Sequence, residues 1–140
     1  MENKGTSKEQ GKKKMGFPIP KQGEEYLAQG IIEYLEDALG VTRTMLAGLI
    51  EVTERTLSTW QSNSTGELEG KAKRLLDLYE FVQQAQKMNV RKSLLLNLLH
   101  EPIDSKNEDS SSILYYIVHE PASRLLKETA PLIIKRFLEN

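Results

Sequence analysis

The stretch Val41-Thr-Arg-Thr-Met-Leu-Ala-Gly-Leu-Ile-Glu-Val-Thr-Glu-Arg-Thr-Leu-Ser-Thr-Trp60 decides how this chain is read. Leu46, Ala47 and Ile50 recur at helical spacing and fall on one face. Val52 marks a turn, and Leu57 with Trp60 repeats an apolar face at i, i+3. Two short helices crossing steeply would bury that set, and Ala47 sits where their backbones approach most closely, so a methyl group is what the crossing tolerates. Thr42 and Thr53 each precede a helix as N-caps, with a hydroxyl able to accept a backbone N–H of the first turn. Two capped short helices around a small residue form the pattern of a helix-turn-helix.

Outward from this motif the chain divides into three parts. Residues 1–23 are rich in Lys, Gly, Gln and Ser and end through Phe17-Pro-Ile-Pro20, which reads as a disordered basic arm closing in an extended segment. From Glu24 the period becomes helical: Tyr26, Leu27, Ile31, Tyr34, Leu35 and Ala38 form a broad stripe, and Gly40 is a stop. Residues 24–66 therefore form the lobe that holds the motif. Ser62 to Gly66 has loop composition, and Ser64 with Glu67 has the spacing of a capping box at the head of a long helix running to Met88. Arg91 to Glu101 reads as a Leu-rich helix closed by Pro102, and Asp104 to Ser112 as a polar loop. Ile113 to His119 has strong β propensity, yet its helical surroundings favour helix. Ala122 to Leu138 is expected to be a helix kinked or restarted at Pro131, which donates no backbone hydrogen bond. Residues 67–140 are thus a second helical lobe, and the fold class is all-α.

The 140 residues suffice for one compact domain, or for two small lobes sharing a core, and exclude a large multidomain enzyme. The net charge of −1 conceals an uneven distribution. Residues 1–21 carry six Lys against two Glu, whereas residues 24–54 carry seven acids against Arg43 alone. The absence of cysteine fits a reducing cytoplasm. With neither an apolar signal region nor a run long enough to span a bilayer, a soluble, cytoplasmic chain is expected.

For chemistry the inventory is poor. His100 and His119 are the two histidines, no acid cluster has ligand spacing, and no Gly-rich phosphate loop occurs. No enzyme, metal or cofactor is expected. The motif instead points to DNA, with the second helix, Glu54 to Ser62, entering the major groove and the first lying across the backbone. Arg43, Thr44 and Thr53 are the candidates for phosphates. Arg55, Thr56, Ser58, Thr59 and Gln61 are the candidates for base edges or adjacent phosphates. Among them Arg55 stands out, because a guanidinium reads guanine O6 and N7 bidentately. Against this reading stand Glu54 and Glu51, so the face is weakly basic and a single copy would bind weakly; two or more copies per site would compensate. Lys4, Lys8 and Lys12 to Lys14 could follow the backbone as a basic arm or simply solubilise the terminus. Lys71, Lys73 and Arg74 could touch phosphates or form a solvated face. Ile113, Leu114, Tyr115, Tyr116 and Ile117 cannot all face inward on one helix, which leaves apolar surface for a partner.

The layout from Glu25 onward resembles the Xre/MbcA/ParS-type antitoxins, which join an Xre-like helix-turn-helix to a C-terminal toxin-binding domain. The residues that carry the resemblance are Leu39 to Ala47, Val52 to Trp60, the long helix Lys71 to Met88, the Leu-rich helix to Leu99, and Ser112-Ile-Leu-Tyr-Tyr-Ile-Val118. The resemblance implies a prokaryotic, cytoplasmic protein that forms a homodimer or higher homo-oligomer. It implies binding to double-stranded operator DNA and blockade of a toxin of the RES type. By that carry-over the toxin surface lies in the C-terminal lobe, with Lys135, Arg136, Phe137, Leu138, Glu139 and Asn140 best placed to reach a toxin cleft. A stand-alone Xre-like regulator, whose second lobe dimerises or senses a small molecule, is the alternative. An interaction adaptor that has lost DNA binding is a third reading.

Overall fold

The computed structural model describes residues 28–62, 70–104 and 110–139. The expectations for the arm 1–23, for Tyr26 and Leu27, for the Ser64–Glu67 cap and for Asn140 lie outside those residues.

The fold is all-α. Seven α-helices follow one another among the described residues: α1 (Ala28–Leu39), α2 (Arg43–Leu49), α3 (Glu54–Trp60), α4 (Lys73–Lys87), α5 (Leu95–Leu99), α6 (Ile113–His119) and α7 (Arg124–Glu139). Short 3₁₀ turns, Gly70–Ala72 and Lys92–Leu94, lead into α4 and α5. No strand forms among the described residues; Pro102 and Ser112 make one isolated antiparallel bridge that closes the base of the polar loop. Ile113–His119 is helical despite its β propensity, because Ser112 caps it by accepting from the Tyr115 N–H at 3.1 Å.

Three helix ends share one device. After α1, Gly40 turns left-handed (φ 66°), the Val41 N–H reaches the Glu36 carbonyl at 3.0 Å and the Gly40 N–H reaches Asp37 at 3.3 Å. This is a Schellman cap. Asn89 (φ 69°) repeats it after α4, with Val90 bonded to Ala85. Glu51 (φ 55°) repeats it after α2, with the Val52 N–H on the Ala47 carbonyl at 2.9 Å. The position where a glycine is usual thus carries a glutamate in the same backbone geometry.

One cluster of buried apolar side chains runs from Ala28 to Ile134. Ile31, Ile32 and Leu35 of α1 lie at its centre with Leu75 and Leu78 of α4 and Leu98 and Leu99 of α5, all inaccessible to solvent. α1 packs on α4, which also meets α6 and α7, so the two expected lobes share a core. α7 is a single helix that passes through Pro131 rather than restarting there. The carbonyl left without a partner by the missing N–H belongs to the exposed Lys127, where water can serve it. No helix among the described residues is long and apolar enough to cross a membrane.

Candidate nucleic-acid interface

The motif assembles from short-range hydrogen bonds and one shared apolar seam. The Thr42 hydroxyl accepts from the Met45 N–H at 3.2 Å and caps α2. The Thr53 hydroxyl accepts from the Thr56 N–H at 3.1 Å and caps α3, while the Thr53 and Thr56 hydroxyls lie 2.9 Å apart. Leu46, Ala47, Ile50 and Leu57 are buried between the two helices and α1, and Trp60 packs against the same cluster from its edge. Ala47 retains 2% of its surface, so a larger side chain would collide there.

With Leu57 turned inward, the outer face of α3 consists of Glu54, Arg55, Ser58 and Thr59, all exposed. The Thr59 hydroxyl donates back to the Arg55 carbonyl at 3.0 Å, and the exposed Arg55 side chain forms no ion pair among the described residues. Thr44 is exposed at the head of α2. Arg43 and Gln61 are half-buried and tied to each other: the Arg43 Nη1 donates to Gln61 Oε1 at 2.9 Å, and its Nη2 lies 3.6 Å from Glu36. That bridge links α1, α2 and the end of α3, and the Gln61 carbonyl also accepts from the Gln29 N–H at 3.0 Å. Of the eight candidates, Arg55, Ser58, Thr59 and Thr44 lie open, Thr53 and Thr56 are joined in a cap, and Arg43 and Gln61 brace the unit. Glu54 in the first turn of α3 favours the helix dipole while opposing a phosphate.

The bracing residue that local sequence reasoning misses is Arg74. Its Nη1 donates to the Ile50 carbonyl at 2.8 Å and the Glu51 carbonyl at 3.3 Å, holding the turn between α2 and α3 from α4. The contact spans 23 residues or more of sequence, and no periodicity announces it. His119 of α6 approaches the same turn, its Nε2 lying 3.8 Å from the Glu51 carboxylate, and stacks on Tyr115 at 4.5 Å.

In the C-terminal candidates, Arg136 donates to the Pro102 carbonyl at 2.6 Å and Phe137 packs against the core, while Lys135, Leu138 and Glu139 are exposed. The more conspicuous surface on α7 is apolar: Leu132 is 68% exposed and Leu125, one heptad earlier, 46%. The apolar pairs Leu125-Leu126 and Leu132-Ile133 carried that signal, being wider than one helix stripe needs.

A second polar cluster surrounds Asp77, which is buried on α4 and accepts from the Ala122 N–H. Burial raises its carboxyl above the usual range, and the Ala122 hydrogen bond, Lys127 and Lys73 pull it back. Burial raises Glu80 likewise. No group of three His, Cys, Asp or Glu side chains among the described residues is placed to hold a metal ion.

No family model matches this chain, nor does any curated protein or any solved structure.

Proposed function

We propose that this protein binds operator DNA through α3 and acts as the antitoxin of a toxin–antitoxin pair, repressing its own promoter and occluding a partner protein. The observation that carries the DNA half is the outer face of α3, where Arg55, Ser58 and Thr59 stand open on a helix whose inner face is fixed by Leu57 and whose head is fixed by Thr53. Such a helix meets the major groove with its first turns, and Arg55 is the residue for a guanine edge. Thr44 contributes a phosphate contact from α2. Arg43, Thr53, Thr56 and Gln61 serve by holding the reading helix at its angle. With few cations on the face, affinity comes from two or more copies on one operator, and the salt dependence is shallow.

The partner half rests on the exposed leucines of α7 beside Lys135 and Glu139, and on the resemblance to antitoxins that block toxins of the RES type. On the alternative reading, a stand-alone regulator, the same leucines join two copies.

The test is a capture of the tagged full chain from its host, with the eluate divided between mass spectrometry and sequencing of bound DNA. A stoichiometric neighbour-encoded protein together with DNA from their common promoter supports the antitoxin reading. DNA alone favours the regulator, and a protein without DNA the adaptor. Arg55→Ala with Thr59→Ala should abolish promoter recovery without changing helical content; unchanged recovery would defeat the assignment of α3.

A further inference from the structure

An apolar groove of about 390 Å³ opens between the helix-turn-helix and the helices that follow α4. Val41, Met45, Gly48 and Leu49 form one wall, Leu96 of α5 and Leu114 of α6 the other, and Glu51 stands on the rim. The size falls within the roughly 300–1,000 Å³ of cavities that bury small ligands. Met45 keeps 51% of its surface, a large apolar side chain left uncovered. Gly48 widens the wall: a Cβ built there meets nothing within 4 Å.

We propose that this groove is the docking site of the chain's own segment Met15-Gly-Phe-Pro-Ile-Pro20. Residues 1–25 hold few large apolar side chains besides the first methionine: Met15, Phe17 and Ile19 stand together after a polar run. Pro18 and Pro20 carry no backbone donor, and apolar residues alternating with proline are the composition of peptides that dock in preformed apolar clefts. The reach is sufficient. From Pro20 to Ala28 eight residues span up to about 26 Å, α1 is about 18 Å long, and Val41 follows two residues beyond its last turn. Lys12, Lys13 and Lys14 precede the segment, and among the described residues the one charged residue lining the groove is acidic, Glu51, whose carboxylate is 61% exposed and lies 3.8 Å from His119 Nε2.

The experiment replaces Phe17 in the full chain by the photo-cross-linker p-benzoylphenylalanine and illuminates it without DNA, in a mixture of light and heavy-isotope chains. The expected products are light–light and heavy–heavy cross-links to the peptides holding Met45, Leu49, Leu96 or Leu114. Gly48→Leu, which fills the groove and replaces a helical glycine by a better helix former, should cut their yield at least fivefold while helical content holds. Mixed-isotope products, which mean a second copy, would overturn the proposal. So would cross-links elsewhere, an absence of products above background, or a yield indifferent to Gly48→Leu. Because no DNA enters the assay, the outcome is independent of the function assigned to α3.

Discussion

Two joints between short helices, α2–α3 and α6–α7, are built alike and secured differently. Each contains a non-glycine residue in the left-handed region, Glu51 at φ 55° and Ala122 at φ 64°. Each is gripped by a polar side chain of α4, and the two grips, Arg74 and Asp77, stand three residues apart on one face of that helix. At the first joint the backbone already closes a Schellman cap, and Arg74 adds donors to carbonyls at its outer side. At the second, the Ala122 N–H is held by the Asp77 carboxylate, and Ser123 then caps α7 by accepting from the Leu126 N–H at 3.3 Å. The Ser123 N–H also reaches the Glu120 carbonyl at 3.0 Å, but the left-handed residue's own N–H depends on Asp77, whereas at Glu51 the backbone supplies that acceptor, the Gly48 carbonyl, at 3.2 Å.

The largest effect that separates them is therefore expected from Asp77→Leu, which leaves the Ala122 N–H without its acceptor in a partly buried site. The cost should be about 1–3 kcal/mol, read from equilibrium urea unfolding. Arg74→Met should cost less, under about 1.5 kcal/mol. It keeps the aliphatic stem and also removes the buried Arg74 Nε, which has no hydrogen-bond partner among the described residues. If Arg74→Met proves the more damaging, the backbone cap at Glu51 is not self-sufficient and the comparison fails.

What the sequence discloses of these joints follows the range of the interactions. Thr42 and Thr53 cap helices through contacts three residues away, so their hydroxyls could be read directly from spacing, as could Leu46, Ala47, Ile50 and Leu57 from the helical period, whereas Ser112, which caps α6 in the same way, is hidden in a run of polar loop residues. Gly40 announced its left-handed turn by composition. Glu51 did not, because the residue says nothing of the backbone bond from Val52 to Ala47 that places it there. Arg74 reads as a phosphate ligand or a solvated cation, and Arg43 as a phosphate contact; that Arg43 also holds Gln61 and Arg74 the Ile50 carbonyl is invisible in sequence, because those partners are fixed by packing rather than by neighbours in the chain. Pro131 reads as a kink or a restart, and the helix does not restart, since the proline's cost falls on the one carbonyl of the exposed Lys127 while Leu126, Ala130, Ile133 and Ile134 are buried. Surface chemistry is the least legible. The groove beside Gly48 exists only once the helices are packed.

A smaller and more specific contrast comes from pH. Burial lifts the Asp77 carboxyl above its ordinary 3.8. A folded state that holds this proton more tightly than the unfolded chain loses relative stability as pH rises from about that ordinary value through the raised one. Asp77→Asn keeps an acceptor for the Ala122 N–H and has nothing to titrate. The variant should thus gain on the parent as pH rises through that window, in urea midpoints measured from pH 4 to pH 7. Glu80, raised by burial, is raised further by the Asp77 charge, so removing that charge moves the difference between the two proteins in the same direction. A parent that instead gains on the variant would mean that the ionised carboxylate's bonds to Ala122, Lys127 and Lys73 outweigh its burial.

The finest test addresses the left-handed residues themselves. A non-glycine side chain at such a φ costs on the order of 1 kcal/mol, and glycine removes that cost while adding freedom to the unfolded chain. Ala122→Gly should accordingly raise stability by about 0.5 kcal/mol, since the alanine methyl is exposed and holds nothing that glycine would lose. Glu51→Gly should gain less, because it also gives up the carboxylate facing His119, an exposed contact worth under about 1 kcal/mol. The two differences, read side by side in thermal melts at one pH, measure how much of each joint is strain and how much is side-chain contact. A loss of stability at Ala122→Gly would show that the second joint's conformation is set by the chain between α6 and α7 at no cost, and that Asp77 merely accepts a hydrogen bond already in place.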